Sequence, residues 1–335
     1  MPVDVDPDVA DLLAGTVADV VRRAVGPAAA AADEDGRLPE SVVEALRSAG
    51  LLGLPAEPAE LAVTAAGHLA TGSAAAALLC VAATAAAACG YTGGVPVAFV
   101  DGGGGTPVKA VAIGGGWELT GSATAEWVTG ANAAAAAVVV AAGPDGTHRA
   151  FAVDPASTGV SRRPAPGTAG LRAAGRGALV LDRAPAALIG DSAAVAAARS
   201  LWLLGLGATA TGVARAALDL AGVHLQNRIQ FRTPLSRLPA LRATVADLDR
   251  DLCAAEAAVT AATRDLTRAA GAARTAAEVA VRATGEAIQL HGGYGYIVDT
   301  GVERLFRDAL SIRARVLGAV APAGAHPVER LLGPA

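Results

Sequence analysis

Residues 287–313 read AIQLHGGYGYIVDTGVERLFRDALSIR. An alanine-rich segment runs into Gln289, and the chain then breaks at His291-Gly292-Gly293-Tyr294-Gly295-Tyr296. Paired glycines after a helix supply the positive-φ conformations that end it, and they let another group approach the backbone closely. The spacing predicts a second helix beyond the break. Val302, Leu305, Phe306, Leu310 and Ile312 fall near one side, and Glu303, Arg304, Arg307 and Asp308 on the others. The glycines alone fit an ordinary turn between two helices equally well.

The cleanest periodicity lies upstream. Leu238, Leu241, Val245, Leu248, Leu252, Ala255, Val259, Ala262 and Leu266 alternate steps of three and four, the seam of a bundle. A preceding helix with Leu201, Leu204, Thr211, Leu218 and Val223 ends near Asn227. With the helices flanking the glycine break, this implies a C-terminal four-helix bundle over 190–335. Over 91–189 glycine and proline are frequent, and short β-type runs fall at 95–100, 108–113, 136–141, 150–153 and 178–181. Turns such as Gly143-Pro144-Asp145-Gly146 separate them, which predicts a small antiparallel barrel or sandwich. Residues 1–90 read as an N-terminal helical domain. Val9, Leu12, Leu13, Val17, Val20 and Val21 recur at helical spacing. Pro39 suits a first helical turn, Gly50 suits a C-cap, and one alanine-rich helix is expected over 59–88. The expected class is α+β.

Composition narrows the function classes. The chain has 335 residues, 53% hydrophobic but only 3% aromatic, so its core must be largely Ala, Val and Leu. Net charge is −4 with no long basic stretch, which argues against nucleic acid. Lys109 is the only lysine, a bias we read as genomic. Cys80, Cys89 and Cys253 lack CxxC spacing, so neither a disulfide framework nor a metal site is expected, and a reducing cytoplasm is the default. His68, alone among alanines, reads as a surface or core histidine. The acidic start is unlike a secretory signal. The apolar run 73–88 is short for a bilayer, and Arg199 and Arg215 interrupt the other candidate, so no membrane is expected.

The opening string resembles the C-terminal signature of the acyl-CoA dehydrogenases. That family has Q-x-x-G-G-x-G-Y followed by V-E-R-L-Y-R-D-A; here Gln289 to Tyr296 and then Val302 to Ala309 match it. Arg228-Ile229-Gln230-Phe231-Arg232-Thr233-Pro234-Leu235 resembles the family's R-x-Q-F-G-x-P-L, with Arg232 in place of glycine. Gly116 to Gly121 and then Trp127-Val128-Thr129-Gly130 resemble its G-x-x-L-N-G-x-K-x-W-I-T-N-G. The likeness is strong over 190–313, fair in the β-region and thin before it. It implies the acyl-CoA dehydrogenase-like order of helical domain, β-barrel and bundle. It also implies an FAD site in which Arg228, Phe231, Gln289, Gly292 and Gly293 reach a neighbouring subunit's flavin and Thr129 meets the ring. An arginine fork suits pyrophosphate oxygens. A solvated helix-end charge is the plain alternative for Arg228.

Two departures stand out. The family's L-T-E-P-x-A-G-S-D loop corresponds to Phe99-Val100-Asp101-Gly102-Gly103-Gly104-Gly105-Thr106-Pro107, without the usual hydroxyl and carboxylate. Those glycines fit a floppy tip or a nest of N–H groups. The family's catalytic Glu matches Val316, and the alternative base position matches Trp202, so no catalytic residue is assigned. A general base is worth roughly 10²–10⁴-fold. The resemblance thus points to the small, base-lacking subunit of heteromeric actinobacterial acyl-CoA dehydrogenases, which act on steroid side-chain thioesters. Expected partners are an acyl-CoA thioester, a homologous subunit carrying the base, and an electron-transfer flavoprotein. The alternatives are a homo-oligomeric flavoenzyme with different chemistry, such as a monooxygenase or biosynthetic acyl oxidase, and a flavin-free binding protein.

Overall fold

The computed structural model describes residues 5–102, 106–129, 133–165, 167–230 and 232–320. Helix α1 (Pro7–Val20) starts where the Asp6 carboxylate accepts from the Asp8 amide, and Pro7 fills a position that needs no N–H. One π-helical turn, Val21–Val25, carries it into α2 (Gly26–Asp35). Helix α3 (Glu40–Ser48) buries Val42, Val43 and Leu46, and Gly50 follows it at φ 73°.

The single alanine-rich helix expected over 59–88 is two, α4 (Ala59–Gly72) and α5 (Ala74–Ala88). Ser73 is extended, and its hydroxyl caps α5 by accepting from the Ala76 amide. Alanines flank the break on both sides, and the pair Gly72-Ser73 marks it. Small side chains let α5 bury all of residues 74–86.

The strands are β1 (Val97–Val100), β2 (Lys109–Ile113), β3 (Gly116–Ala125), β4 (Ala136–Ala142), β5 (His148–Val153), β6 (Val160–Pro164) and β7 (Gly177–Gly190). The path β4-β2-β3-β7-β5 returns to β4 and closes a barrel, with β1 added beside β4 and β6 beside β7. The barrel is not wholly antiparallel as expected: β1 and β2 both run parallel to β4. Long connections permit parallel pairs where short hairpins cannot. The runs at 95–100, 108–113, 136–141 and 150–153 all become strands. β3 and β6 were not foreseen as strands, and β7 continues to Gly190 instead of stopping at 181. Small and polar residues blur the alternation of β3, but it has ladder partners on both sides, β2 and β7. Leu119, Val139, Phe151 and Leu179 are buried.

The last helices are α6 (Ser192–Asn227), α7 (Pro239–Ala262), α8 (Ala269–His291) and α9 (Val302–Val320). Helix α6 is long and apolar enough by composition to cross a membrane, but most of its apolar window is buried inside the protein, where it packs on α4, α5, α8 and α9. The α7 seam is buried from Leu248 to Ala262. Its ends, Leu238 and Leu266, lie outside the helix. On α9, Val302, Leu305, Ala309, Ile312 and Val316 are buried. Leu310 is 37% exposed, because its position on the turn faces away from that row.

Helix α9 also ties the parts together. Arg307 forks onto Asp33 of α2 (2.7 and 3.3 Å), holds Glu303 (2.6 and 3.0 Å) and donates to the Ala169 carbonyl (2.7 Å). The Leu171 amide donates to buried Asp308 at 2.6 Å, and the Gly170 amide to Ser311 Oγ at 3.1 Å. A Cβ on Gly170 would lie 2.2 Å from the Arg307 carbonyl oxygen, so only glycine admits this approach.

Burial, abetted by nearby Asp33, pushes the Asp308 carboxyl up to about 6, although the Leu171 amide, Arg304 and Arg307 favour its charged form. The unfolded group titrates near ~3.9. Folding therefore takes up a proton between those values. The stabilising contribution is complete below pH ~4 and is lost as pH rises through about 6. Asp308→Asn keeps an acceptor for Leu171 and removes the titration. Relative to the parent, it should gain stability as pH goes from ~4 to ~7, by up to about 3 kcal/mol. Melting curves of the two proteins that stay parallel over that range would refute this.

Candidate functional site

The two positions that match the family's base lie beside one cleft. It has a volume of about 520 Å³ and opens between the barrel, α6 and α9. Trp202 of α6 forms one wall, its ring tilted against Phe99 at 5.8 Å. Val316 does not face the cleft. It is fully buried, and its neighbour Arg315 lines the cleft instead.

The cleft does contain carboxylates, and arginines clamp both. Asp101, just after β1, receives Nε and Nη2 of Arg199 at 2.7 and 2.8 Å. Glu126, at the end of β3, receives Arg176 Nη1 at 3.0 Å and Arg315 Nε. Burial pushes the Glu126 carboxyl up, but Arg315 and Arg176 outweigh it and hold the group below the ordinary carboxylate range. A base so depressed is weak, because useful catalytic pKa values lie near the working pH. Arg315 also donates from Nη1 to the Ser311 carbonyl at 2.9 Å. Its Nη2 is buried with no acceptor among the described residues. A buried donor left unpaired costs about 1–3 kcal/mol.

Beside Glu126 the chain makes a strained turn. Trp127 is wholly buried at φ 64°, its indole N–H is unpaired among the described residues, and the Ala174 carbonyl accepts from its amide at 2.8 Å. Thr129 donates its hydroxyl to the Gly175 and Arg176 carbonyls at 3.3 and 3.0 Å. It therefore pins the loop that carries Arg176.

The remaining assigned residues gather elsewhere. Arg228 ends α6, exposed and without a carboxylate partner among the described residues, its guanidinium 5.7 Å from the Tyr294 ring centre. His224 and His291 rings lie 4.6 Å apart beside it. Burial, then His291 and Arg228, lower the His224 pKa, so the ring stays neutral at neutral pH. Gln289 is exposed. Gly292 turns at φ 60° and ends α8 as expected, whereas Gly293 needs no positive φ. A Cβ at either would meet nothing within 4 Å, whereas one at Gly295 would strike the Ile288 carbonyl oxygen at 2.4 Å. Packing inside the chain thus explains Gly295 and leaves the backbone at Gly292 and Gly293 open to an outside group. Phe231 and Gly103 to Gly105 lie outside the described residues. An unpaired arginine, an exposed amide and an open glycine backbone fit the pyrophosphate end of a dinucleotide.

Trp202 and Arg228 are 26 positions apart on α6 and its cap, ~39 Å at 1.5 Å per residue. No single dinucleotide spans that distance, so the two groups serve different sites. Sequence reading missed Glu126, Arg176, Asp101 and Arg199 as a set. The one available signal was a charged residue directly before Trp127 in an otherwise apolar segment.

Residues 204–315 match the family model for the acyl-CoA dehydrogenase C-terminal domain. Acryloyl-CoA reductase (NADH) of Anaerotignum propionicum is 33% identical over 113 residues, which is 32% of this chain and 29% of that protein. The match thus spans under a third of that curated relative. Butyryl-CoA dehydrogenase from Megasphaera elsdenii superposes with a TM-score of 0.85 at 21% identity, covering 99% of this chain and 98% of that one. A chain of the ChsE4-ChsE5 complex from Mycobacterium tuberculosis does so at 0.83 and 24%, covering 99% and 100%.

Breaking a buried ion pair leaves an uncompensated charge, whereas replacing the pair by apolar groups is often neutral. Glu126→Gln should therefore destabilise the chain by about 3 kcal/mol in chemical denaturation, and Glu126→Leu with Arg315→Met should recover at least half. A Glu126→Gln protein as stable as the parent would remove the network's structural role.

Proposed function

We propose, for a chain whose residues 204–315 match the acyl-CoA dehydrogenase C-terminal domain and whose fold is that of butyryl-CoA dehydrogenase, the role of base-lacking subunit in a two-chain, α2β2 FAD-dependent acyl-CoA dehydrogenase. The supporting observation is the division along α6. Its C-terminal end offers an unpaired Arg228 and open glycines to a dinucleotide held by another chain. Its cleft end offers no free carboxylate for α-proton removal. FAD supplies hydride acceptance when bound. In this reading Arg228, Phe231, Gln289, Gly292 and Gly293 hold its pyrophosphate end across the subunit boundary. The partner subunit supplies the base and the thioester pocket, with steroid side-chain thioesters as one substrate class and an electron-transfer flavoprotein as acceptor. The fold likeness to a structure described as a complex of two differently named chains supports such pairing.

Expressed alone, this chain should be nearly colourless and inactive on acyl-CoA thioesters. A yellow, active homotetramer would overturn the proposal. In the two-chain complex, Arg228→Ala should weaken FAD retention by about 1.5–3 kcal/mol, the range for hydrogen bonds to charged groups. The melting temperature of the apo chain should hardly move, because the side chain is exposed. Unchanged FAD occupancy after dialysis would make Arg228 a solvated charge.

A further inference from the structure

The cleft that lacks a free base has its own chemistry. Of its lining charges, Asp101 is neutralised by Arg199 from behind the wall. Glu126 faces two arginines, Arg176 and Arg315, so one positive charge is left over. Arg315, only 9% exposed at the side chain, commits Nε to Glu126 and Nη1 to Ser311, and its buried Nη2 has no acceptor among the described residues. Arg176 commits only Nη1, and its side chain is 33% exposed, within reach of a ligand. The opposite walls are apolar: the Phe99–Trp202 ring pair, half-exposed Leu310, and Ala314 on the outer face of α9.

We propose that this cleft binds a small organic acid, with its carboxylate on Arg176 and Arg315 and its apolar body against Phe99, Trp202 and Leu310. Carboxylate is the matching head group because a planar guanidinium fork pairs with two coplanar oxygens. The single excess charge matches a monoanion better than a phosphate ester. A hydrocarbon body follows from aromatic and aliphatic walls in a cleft of about 520 Å³, room for more than the head group alone. The binding involves no bond making or breaking, and it does not depend on whether a second chain supplies a base elsewhere.

The test uses the full chain and calorimetric titration with hexanoate, with hexanamide and inorganic phosphate as controls. Hexanoate should bind at least tenfold tighter than either control, and its affinity should fall with added salt. Arg176→Gln should weaken hexanoate at least tenfold. Ala314→Phe, which fills the cleft from an exposed helix position without touching the ion network, should abolish binding in a protein that melts like the parent. Equal binding of hexanoate and hexanamide would reduce the site to an apolar groove. Phosphate binding as well as hexanoate would reduce it to a generic anion site. Hexanoate affinity unchanged in both variants would place the ligand elsewhere. Each of these overturns the proposal, and none bears on FAD retention, which is read separately.

Discussion

Everything at the junction of the three parts depends on one turn of α9. Arg307, Asp308 and Ser311 reach the α2 carboxylate Asp33 and the backbone of residues 169–171 from a single helix face. The same helix buries Val302, Leu305, Ile312 and Val316 in the bundle, about 1.5–3 kcal/mol for each such side chain. Apolar burial fixes where α9 lies, and its polar turn then fixes where the barrel and α2 lie relative to it. The cleft inherits its geometry from that arrangement, since Arg315 projects from α9 two turns beyond Arg307. The Arg176 loop is held by Thr129 on one side and follows the latched segment on the other.

The length of α6 separates the region around Arg228 from the cleft near Trp202. A helix of 36 residues carries the two regions so far apart that substitutions at one end leave the other untouched. Arg228 and the open glycines can keep their pyrophosphate-like arrangement while the cleft near Trp202 is rebuilt with ion pairs.

The bundle was legible because burial and periodicity agree there: the α7 seam from Leu248 to Ala262 and the α8 glycine break both appear where the spacing puts them. The failures have local causes. Gly72 and Ser73 end one helix and cap the next, a short signal outweighed by the alanines on both sides of it. Leu310 has the chemistry of a core residue but the wrong angle on α9. β3 is a strand through its two neighbours, which a single segment does not reveal. Arg232 stands where the family has glycine and keeps the glycine conformation at φ 62°, at a strain of roughly 1–2 kcal/mol. The substitution was visible in the sequence and its backbone was not. Of the candidate site, the motif names Arg228 and the glycines, and the structure brings Arg228 beside the glycine turn at Tyr294. The ion network of the cleft joins residues 126, 176 and 315, which no short motif connects.

That network also bears on what the two carboxylates that line the cleft can do. Proton abstraction from a thioester α-carbon needs a carboxylate with a raised pKa and a free lone pair directed at the substrate. Two guanidinium groups on Glu126 do the opposite: they lower its pKa, and both bond its Oε1. Asp101 is tied up by Arg199 in a bidentate pair. A site that had merely lost its base could fill the space with apolar side chains, which pack a protein interior at least as stably as a buried ion pair. Instead the cleft retains buried charge, one cation in excess and a guanidinium nitrogen with no acceptor among the described residues. An excess cation beside apolar walls is the feature on which the proposed carboxylate site rests.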